Sequence, residues 1–191
     1  MASSNYATSQ YTSEEFVESS GAILFDLSPK QSKVCLIHYI AKDEWLLAKG
    51  RRNCGESRHE AALREVREET GYPCHLHPVT MSTRAPPRVE TGFVADQPRT
   101  FSNLTEPFML TIRRMDGKSN AKLIWWYIAA LDKDPATDKS NGEAEFKAEF
   151  FSWDEALARL TFEDDRQILG RAIALVENSR RERDISTNVP Y

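Results

Sequence analysis

Apolar and polar positions group into short blocks over the first fifty residues and then change period. From Phe16 to Leu27 the chain reads as a strand, with Ala22-Ile23-Leu24-Phe25 as a run suited to a buried sheet and Ser28-Pro29 closing it. A second strand is predicted from Val34 to Ile40, with a hairpin connection across Pro29 to Lys33. Trp45 to Ala48 is a third, running straight into Lys49-Gly50 and giving the loop that follows a rigid base. From Ser57 to Thr70 the period becomes helical: Leu63, Val66 and Thr70 share one side, and Gly71 supplies a C-terminal stop. Pro73 to Val79 reads as a strand again. Phe108 to Met115 and Lys122 to Leu131 read as a pair turning near Asp116-Gly117, and Phe146 to Trp153 as the last strand. A short helix from Asp154 to Leu160 precedes a long one from Asp164 or Asp165 to Arg183, with Ile168, Ala172, Leu175 and Val176 on its apolar side.

Residues 80–106 differ in texture. Arg84-Ala85-Pro86-Pro87-Arg88 and the polar stretch from Thr91 to Thr105 predict a long inserted loop carrying Arg84, Arg88 and Arg99. Asp132 to Gly142, with Pro135, is a second polar loop. Residues 1–13 are expected to be a disordered tail, 14–183 one domain, and 184–191 a loose C-terminal tail. No internal repeat is present.

The 191 residues suffice for one domain with a full core, and 40% hydrophobic with 28% charged residues is ordinary globular composition. A net charge of −4 argues against general nucleic-acid or membrane binding, so a polyanion would need a local basic cluster. The three cysteines, Cys35, Cys54 and Cys74, show no Cys-x-x-Cys spacing, which points away from zinc sites and disulfide frameworks and toward a reducing compartment. No apolar run reaches membrane-span length, and Met1 to Ser13 has no signal-peptide core. A cytoplasmic protein acting on a small molecule is expected, with no signature of a particular oligomeric state. His75 and His77 alternate on one strand face; such a pair suits a metal, but it recurs in exposed strands, which is the reading adopted. Of the adjacent Trp125 and Trp126, one must face the core and the other outward, where it packs under a helix or stacks on a base.

The densest chemistry lies between Gly50 and Tyr72. Glu65, Glu68 and Glu69 stand at i, i+3 and i+4 and crowd one helix face, where like charges repel. That face is not expected to be core. Oxygen donors at this density suit Mg²⁺ or Mn²⁺, hard ions that keep positions open for water and substrate phosphate. A solvated helix, with Arg58, Arg64 and Arg67 pairing with the glutamates, would account for the charges but not for a glycine at each end.

Gly50, Glu56, Arg64, Glu65, Val66, Glu68, Glu69 and Gly71 resemble the signature of the Nudix hydrolases at every fixed position and every gap, with one departure, Tyr72, where an aliphatic residue is usual. The resemblance implies an α/β fold, an α/β/α sandwich with a mixed sheet and a loop-helix-loop. It also implies a divalent ion, Mg²⁺ or Mn²⁺, and hydrolysis of a diphosphate joined to another moiety. The Gly50 carbonyl with Glu65, Glu68 and Glu69 would hold the ion. Glu56 would hold Arg64 or a nearby water, and Arg64 would orient a glutamate. Candidates for the general base are Glu68 and Glu69, or Glu143, Glu145 and Glu149 from outside the signature.

Lys49, Arg51 and Arg52 flank the site, and Arg84 and Arg88 would extend them into a collar for a dense polyanion. The Lys-Gly-Arg start is similar to that of branches hydrolysing diadenosine polyphosphates and diphosphoinositol polyphosphates. The latter lead because the collar is arginine-rich. Pro87 resembles a marker of ADP-ribose hydrolysing members, so ADP-ribose or a nucleotide sugar is the alternative. A non-catalytic ligand-binding module of the same fold is the alternative of another class, against which all the signature glutamates stand.

Overall fold

The computed structural model describes residues 5–28, 32–89, 92–114, 120–132 and 142–187, with side chains through residue 183. Its elements are β1 (Phe16–Asp26), β2 (Lys33–Tyr39), β3 (Glu44–Leu46), β4 (Lys49–Arg51), α1 (Arg58–Thr70), β5 (Cys74–Leu76), β6 (Val79–Thr83), β7 (Arg99–Leu104), β8 (Met109–Arg114), β9 (Ala121–Leu131), β10 (Phe146–Phe151), α2 (Trp153–Arg159) and α3 (Glu163–Thr187).

The main sheet runs β10-β2-β1-β9-β5, with β3 added to β2, β4 to β1 and β8 to β9. It is mixed: β1 and β9 run parallel from Phe16↔Ala121 to Phe25↔Ala130, and the other pairings are antiparallel. Alternation along the central strands sends side chains to two cores. Ala22, Leu24 and Ala129 meet Ala62 and Val66 of α1, whereas Ile23, Phe25, Ile124 and Trp126 meet Ala156 of α2 and Ile168, Leu169 and Ala172 of α3. Two helical layers therefore enclose one sheet, an α/β/α sandwich.

Helix α1 begins at Ser57 because Ser57-x-x-Glu60 forms a reciprocal capping box, and it ends at Gly71, whose φ of 76° is a conformation that glycine adopts without strain. Four expectations need correction. Lys49 to Arg51 is a strand on β1, not a loop. The stretch from Pro73 to Val79 divides into β5 and the start of β6, because Leu76 ends its pairing with β9 and Val79 pairs with Leu104 instead. Residues 80–106 are not one loop: β6 and β7 form a two-stranded arm that packs against α3, and Met81 is buried there. The long helix also continues four residues beyond Arg183, to Thr187. The predicted turns at Pro29 and Asp116-Gly117 and the loop around Pro135 lie outside the described residues.

Candidate active site

Arg64 is the centre of the site. Its Nε donates to Glu56 Oε1 (2.8 Å) and its Nη2 to Glu56 Oε2 (3.0 Å), a two-pronged pairing. Nη1 donates to Glu65 Oε1 and to Glu68 Oε2, both at 2.7 Å, and Nη2 also reaches the Arg51 carbonyl at 3.0 Å. One planar guanidinium thus fixes three carboxylates and the end of β4, and its own proton is held more firmly than usual, first by Glu56. Glu56 is tied from its other side by the Asn53 amide (2.9 Å), and Asn53 and Glu56 close a tight turn through their backbones (3.2 Å).

Glu65 reaches β4 itself. A Cβ built on Gly50 would overlap the Glu65 carboxylate, so the strand offers no side chain at the position where the acid lies. Glu69 is 8% exposed, and its Oε2 accepts the Lys49 amide at 2.7 Å. Its burial corrects the expectation that the acidic face stays out of the core: Glu69 adjoins Val66 and Thr70 closely enough to be carried under β4. Burial pushes its carboxyl up to about 8 against the pull of Lys49, with Glu65 and Glu143 adding repulsion. Glu65 is raised in the same direction, chiefly by burial, although Arg64 opposes it. Glu68 is 44% exposed at the mouth.

Of the three acids proposed from outside the signature, Glu143 is the one brought to α1. Its amide donates to the Glu68 carbonyl (2.8 Å), and Gly142 lies close enough that a Cβ there would meet the Glu69 carbonyl at 3.1 Å. Glu149 is bonded to Lys147 at 2.7 Å on β10, the sheet's far edge, and the Glu145 carbonyl accepts the Ile40 amide.

The predicted cationic collar is reduced by the structure. Arg52 Nε donates to Glu18 (3.0 Å) and its Nη1 to the Glu56 carbonyl (2.7 Å), so it fastens the loop. Arg84 forms a two-pronged pair with Asp96 (2.8 and 2.6 Å), and Arg88 lies exposed on the same arm, which packs on α3. Lys49 and Arg51 remain beside the acids on β4.

Sequence reasoning missed Glu18. Its Oε1 accepts from Arg58 (2.8 Å) and from Trp125 Nε1 (3.0 Å), and its Oε2 from Arg52. The Arg58 guanidinium lies 4.1 Å from the Trp125 ring, so the outward tryptophan packs under the start of α1. Trp126 is the core partner, with Nε1 on Thr111 Oγ1 at 3.0 Å. The available signal was an acid at an inward position of β1, on the face that also carries Ala22 and Leu24. Of the histidine pair, His75 bonds Asp132 at 2.7 Å, whereas His77 is half-buried rather than exposed. None of the three cysteines is in a disulfide. Tyr72, the departure from the signature, packs edge-on against Phe150 with ring centroids 5.1 Å apart.

As oriented, no three acidic, imidazole or thiol groups among the described residues are gathered as a set of metal ligands. The donor chemistry nevertheless fits a hard divalent ion. The donors are carboxylates and a main-chain carbonyl, two of the acids resist ionisation where they lie, and the glycine leaves their approach to the strand open.

A sandwich of this topology, with a glycine-bounded loop and helix presenting Glu56, Arg64, Glu65, Glu68 and Glu69 around one guanidinium, brings a set of acids to a sheet edge. The family model of the NUDIX domain matches residues 18–171, and the chain belongs to the Nudix hydrolase family. It is 28% identical over 170 residues to an 8-oxo-(d)GTP phosphatase of Mycolicibacterium smegmatis, a match covering 84% of this chain and 42% of that protein; the chain thus spans less than half of its relative. Among solved structures it resembles a NUDIX family hydrolase from Clostridium perfringens (TM-score 0.54, 17% identity, 86% of this chain and 99% of that one). It also resembles the Ap4A hydrolase of C. elegans (TM-score 0.52, 14% identity, 84% and 98%). Among the described residues, no helix is long and apolar enough to cross a membrane.

Proposed function

We propose that this chain is a divalent-ion-dependent pyrophosphohydrolase that cleaves a phosphoanhydride in a polyphosphate with a nucleoside attached. The observation that carries the reading is the bracing of Glu65 and Glu68 by Arg64 beside the buried Glu69, at a strand stripped of its side chain at Gly50. Glu65, Glu68 and Glu69 with the Gly50 carbonyl would hold Mg²⁺ or Mn²⁺. Such an ion supplies Lewis acidity toward the diphosphate oxygens and lowers the pKa of a bound water.

The protein's own share is positioning. Arg64 keeps two carboxylates in fixed rotamers, and Glu56 locks Arg64, so little reorganisation is needed when substrate arrives. Glu68, at the mouth, and Glu143, on the segment docked against α1, are the acids placed to take a proton from water. Lys49 and Arg51 face the phosphate side.

A nucleoside polyphosphate is favoured over the other candidates by the similarity to an 8-oxo-(d)GTP phosphatase. Diphosphoinositol polyphosphates are the second reading, supported by the number of cations near β4. The ion pairs of Arg52 with Glu18 and of Arg84 with Asp96 weaken the case for an arginine-rich collar and so for this second reading.

The test is product formation, separated by chromatography, from GTP, diadenosine tetraphosphate, ADP-ribose and a diphosphoinositol polyphosphate, with Mg²⁺ or Mn²⁺ and with chelator, for wild type and Glu69→Gln. Glutamine preserves an acceptor for the Lys49 amide, so the fold should persist while ion-dependent turnover is lost. A Glu69→Gln enzyme at wild-type rate would defeat the assignment.

A further inference from the structure

The sheet face opposite α1 carries a row of cations that the signature does not predict. Strand β4 alternates: Gly50 turns toward α1, while Lys49 and Arg51 turn the other way. The close approach of Gly21 to both Lys49 and the Trp126 ring fixes that face, because a Cβ on Gly21 would meet the Lys49 Cβ at 2.6 Å and the Trp126 ring at 2.9 Å. Register then extends it across the sheet. Arg51 is opposite Ser19, Ser19 is beside Ile124, Val17 is beside Lys122, and Lys122 is opposite Arg113. Partners in register share a face, so Arg51, Lys122 and Arg113 form a line over β4, β1, β9 and β8, with Lys49 at its inner end.

These cations differ from the others near the site. Arg52, Arg58 and Arg64 are bonded to carboxylates, whereas none of Lys49, Arg51, Arg113 and Lys122 is recorded in an ion pair among the described residues. Like charges directly opposite across strands, as at Arg113 and Lys122, destabilise a sheet. Lys122 is moreover half-buried, and burial together with Lys49, Arg113 and Arg51 makes its charge harder to keep. The Ser19 hydroxyl, fully buried, has no hydrogen-bond partner among the described residues. Three acids oppose the row: Asp165, in the first turn of α3, which senses Lys49 and Arg113, and, from the α1 side of β4, Glu65, which acts on Lys122, and Glu69, which senses Lys49. Asp165 is 3% exposed, with its own carboxyl pushed up by burial and its Oδ1 without a partner among the described residues. Three acids do not balance four cations, and one of them, Glu65, is already paired with Arg64.

An arrangement that is repulsive alone becomes favourable when an anion of matching length lies on it. Val17, Arg51 and Arg113 are exposed, so the line is accessible from solvent. It begins at β4, where Glu65 and Glu69 meet the strand on its other side. We propose that Lys49, Arg51, Lys122 and Arg113 bind the phosphate chain of the substrate beyond the bond that is cut, and so select polyphosphates of three or more phosphates over simple diphosphates. This rests on the hydrolase reading for its function, but the binding can be tested apart from turnover.

Inorganic tripolyphosphate is the probe, titrated calorimetrically at several salt concentrations into wild type, Arg113→Gln, Lys122→Gln and, as a control for charge alone, Arg171→Gln on the exposed side of α3. Wild type should bind, with affinity falling as salt rises. Arg113→Gln and Lys122→Gln should each weaken binding about tenfold, the scale of one charge-assisted hydrogen bond, and flatten the salt dependence, while Arg171→Gln should do neither. In turnover the same two variants should raise KM for a triphosphate substrate more than for a diphosphate, with kcat little changed. Arg113 is exposed, so its variant decides the matter even if Lys122→Gln folds poorly. Equal tripolyphosphate affinity in wild type and Arg113→Gln, or no binding by wild type, would overturn the proposal. Absence of ion-dependent hydrolysis in wild type would overturn the hydrolase reading and leave the titration to be read on its own.

Discussion

Gly50 and Glu65 share one space: the carboxylate of the helix residue fills the volume where a side chain on the strand residue would begin. The contact explains the glycine by close approach, since a methyl group there would have to displace an acid that Arg64 holds at 2.7 Å. Gly50→Ala should therefore move Glu65 while leaving both cores untouched. Metal affinity should fall about 10- to 100-fold, the usual cost of disturbing what positions a ligand. The check is Mn²⁺ titration alongside thermal unfolding, and an unchanged Mn²⁺ affinity would show that the carboxylate does not serve the ion.

Arg64→Lys keeps the charge but not the fork. Lysine cannot serve Glu56, Glu65, Glu68 and the Arg51 carbonyl together, because its ammonium is a single point with three donors. Turnover should drop at least tenfold with a smaller change in substrate affinity, seen as a fall in kcat larger than the rise in KM. A variant with wild-type kcat would mean that the guanidinium is structural filler.

Glu18 ties β1 to Arg52, Arg58 and Trp125 with a side chain only 12% exposed. Glu18→Gln leaves two arginines without their counter-charge and should cost about 2 kcal/mol, the scale of hydrogen bonds to charged groups. The double variant with Arg58→Gln should lose less than the sum of the two singles, because the residues share one network. Strict additivity in urea unfolding would remove Glu18 from the role of hub.

What could be read from the sequence was what depends on local rules. The Gly71 stop and the apolar side of α1 follow from neighbours a few residues apart, and so does the buried strand run at Ala22-Ile23-Leu24-Phe25; the Ser57 capping box is local too but was not read. The crowding of Glu65, Glu68 and Glu69 is legible for the same reason, because their spacing is local too. What escaped were relations set by strand register. Arg113 and Lys122 meet only because β8 folds back on β9, and Glu18 meets Arg58 across 40 residues of chain. Arg52 and Arg84 were assigned to substrate from their charge, but a charge in sequence does not reveal that Glu18 or Asp96 will neutralise it. The β6–β7 arm was hidden because its strands carry polar residues at Thr80, Ser82, Thr100 and Ser102, a pattern that also suits a loop.

His77 gives the protein a pH dependence separate from the active site. Its backbone amide is bonded to the Ile128 carbonyl at 2.9 Å, which fixes the residue at the end of β5, and its Nε2 is buried without a partner among the described residues. Burial, and then the positive neighbours Arg183, His75 and Arg180, lower its pKa from 6.5 to about 4. The unfolded chain takes up a proton as pH falls through the ordinary histidine range, whereas the folded chain resists until about 4. Between those values unfolding binds a proton, so the stability that His77 contributes is complete above the unfolded pKa and is lost as pH falls toward the folded one. Carboxylates also titrate in this window, and the informative quantity is the difference between wild type and His77→Gln, which cannot be charged. The urea midpoint of wild type should fall more steeply than that of the variant from about pH 7 to about pH 4.5, with the two curves parallel at higher pH. Curves parallel throughout would mean that the imidazole takes up its proton as readily in the folded protein as in the unfolded chain.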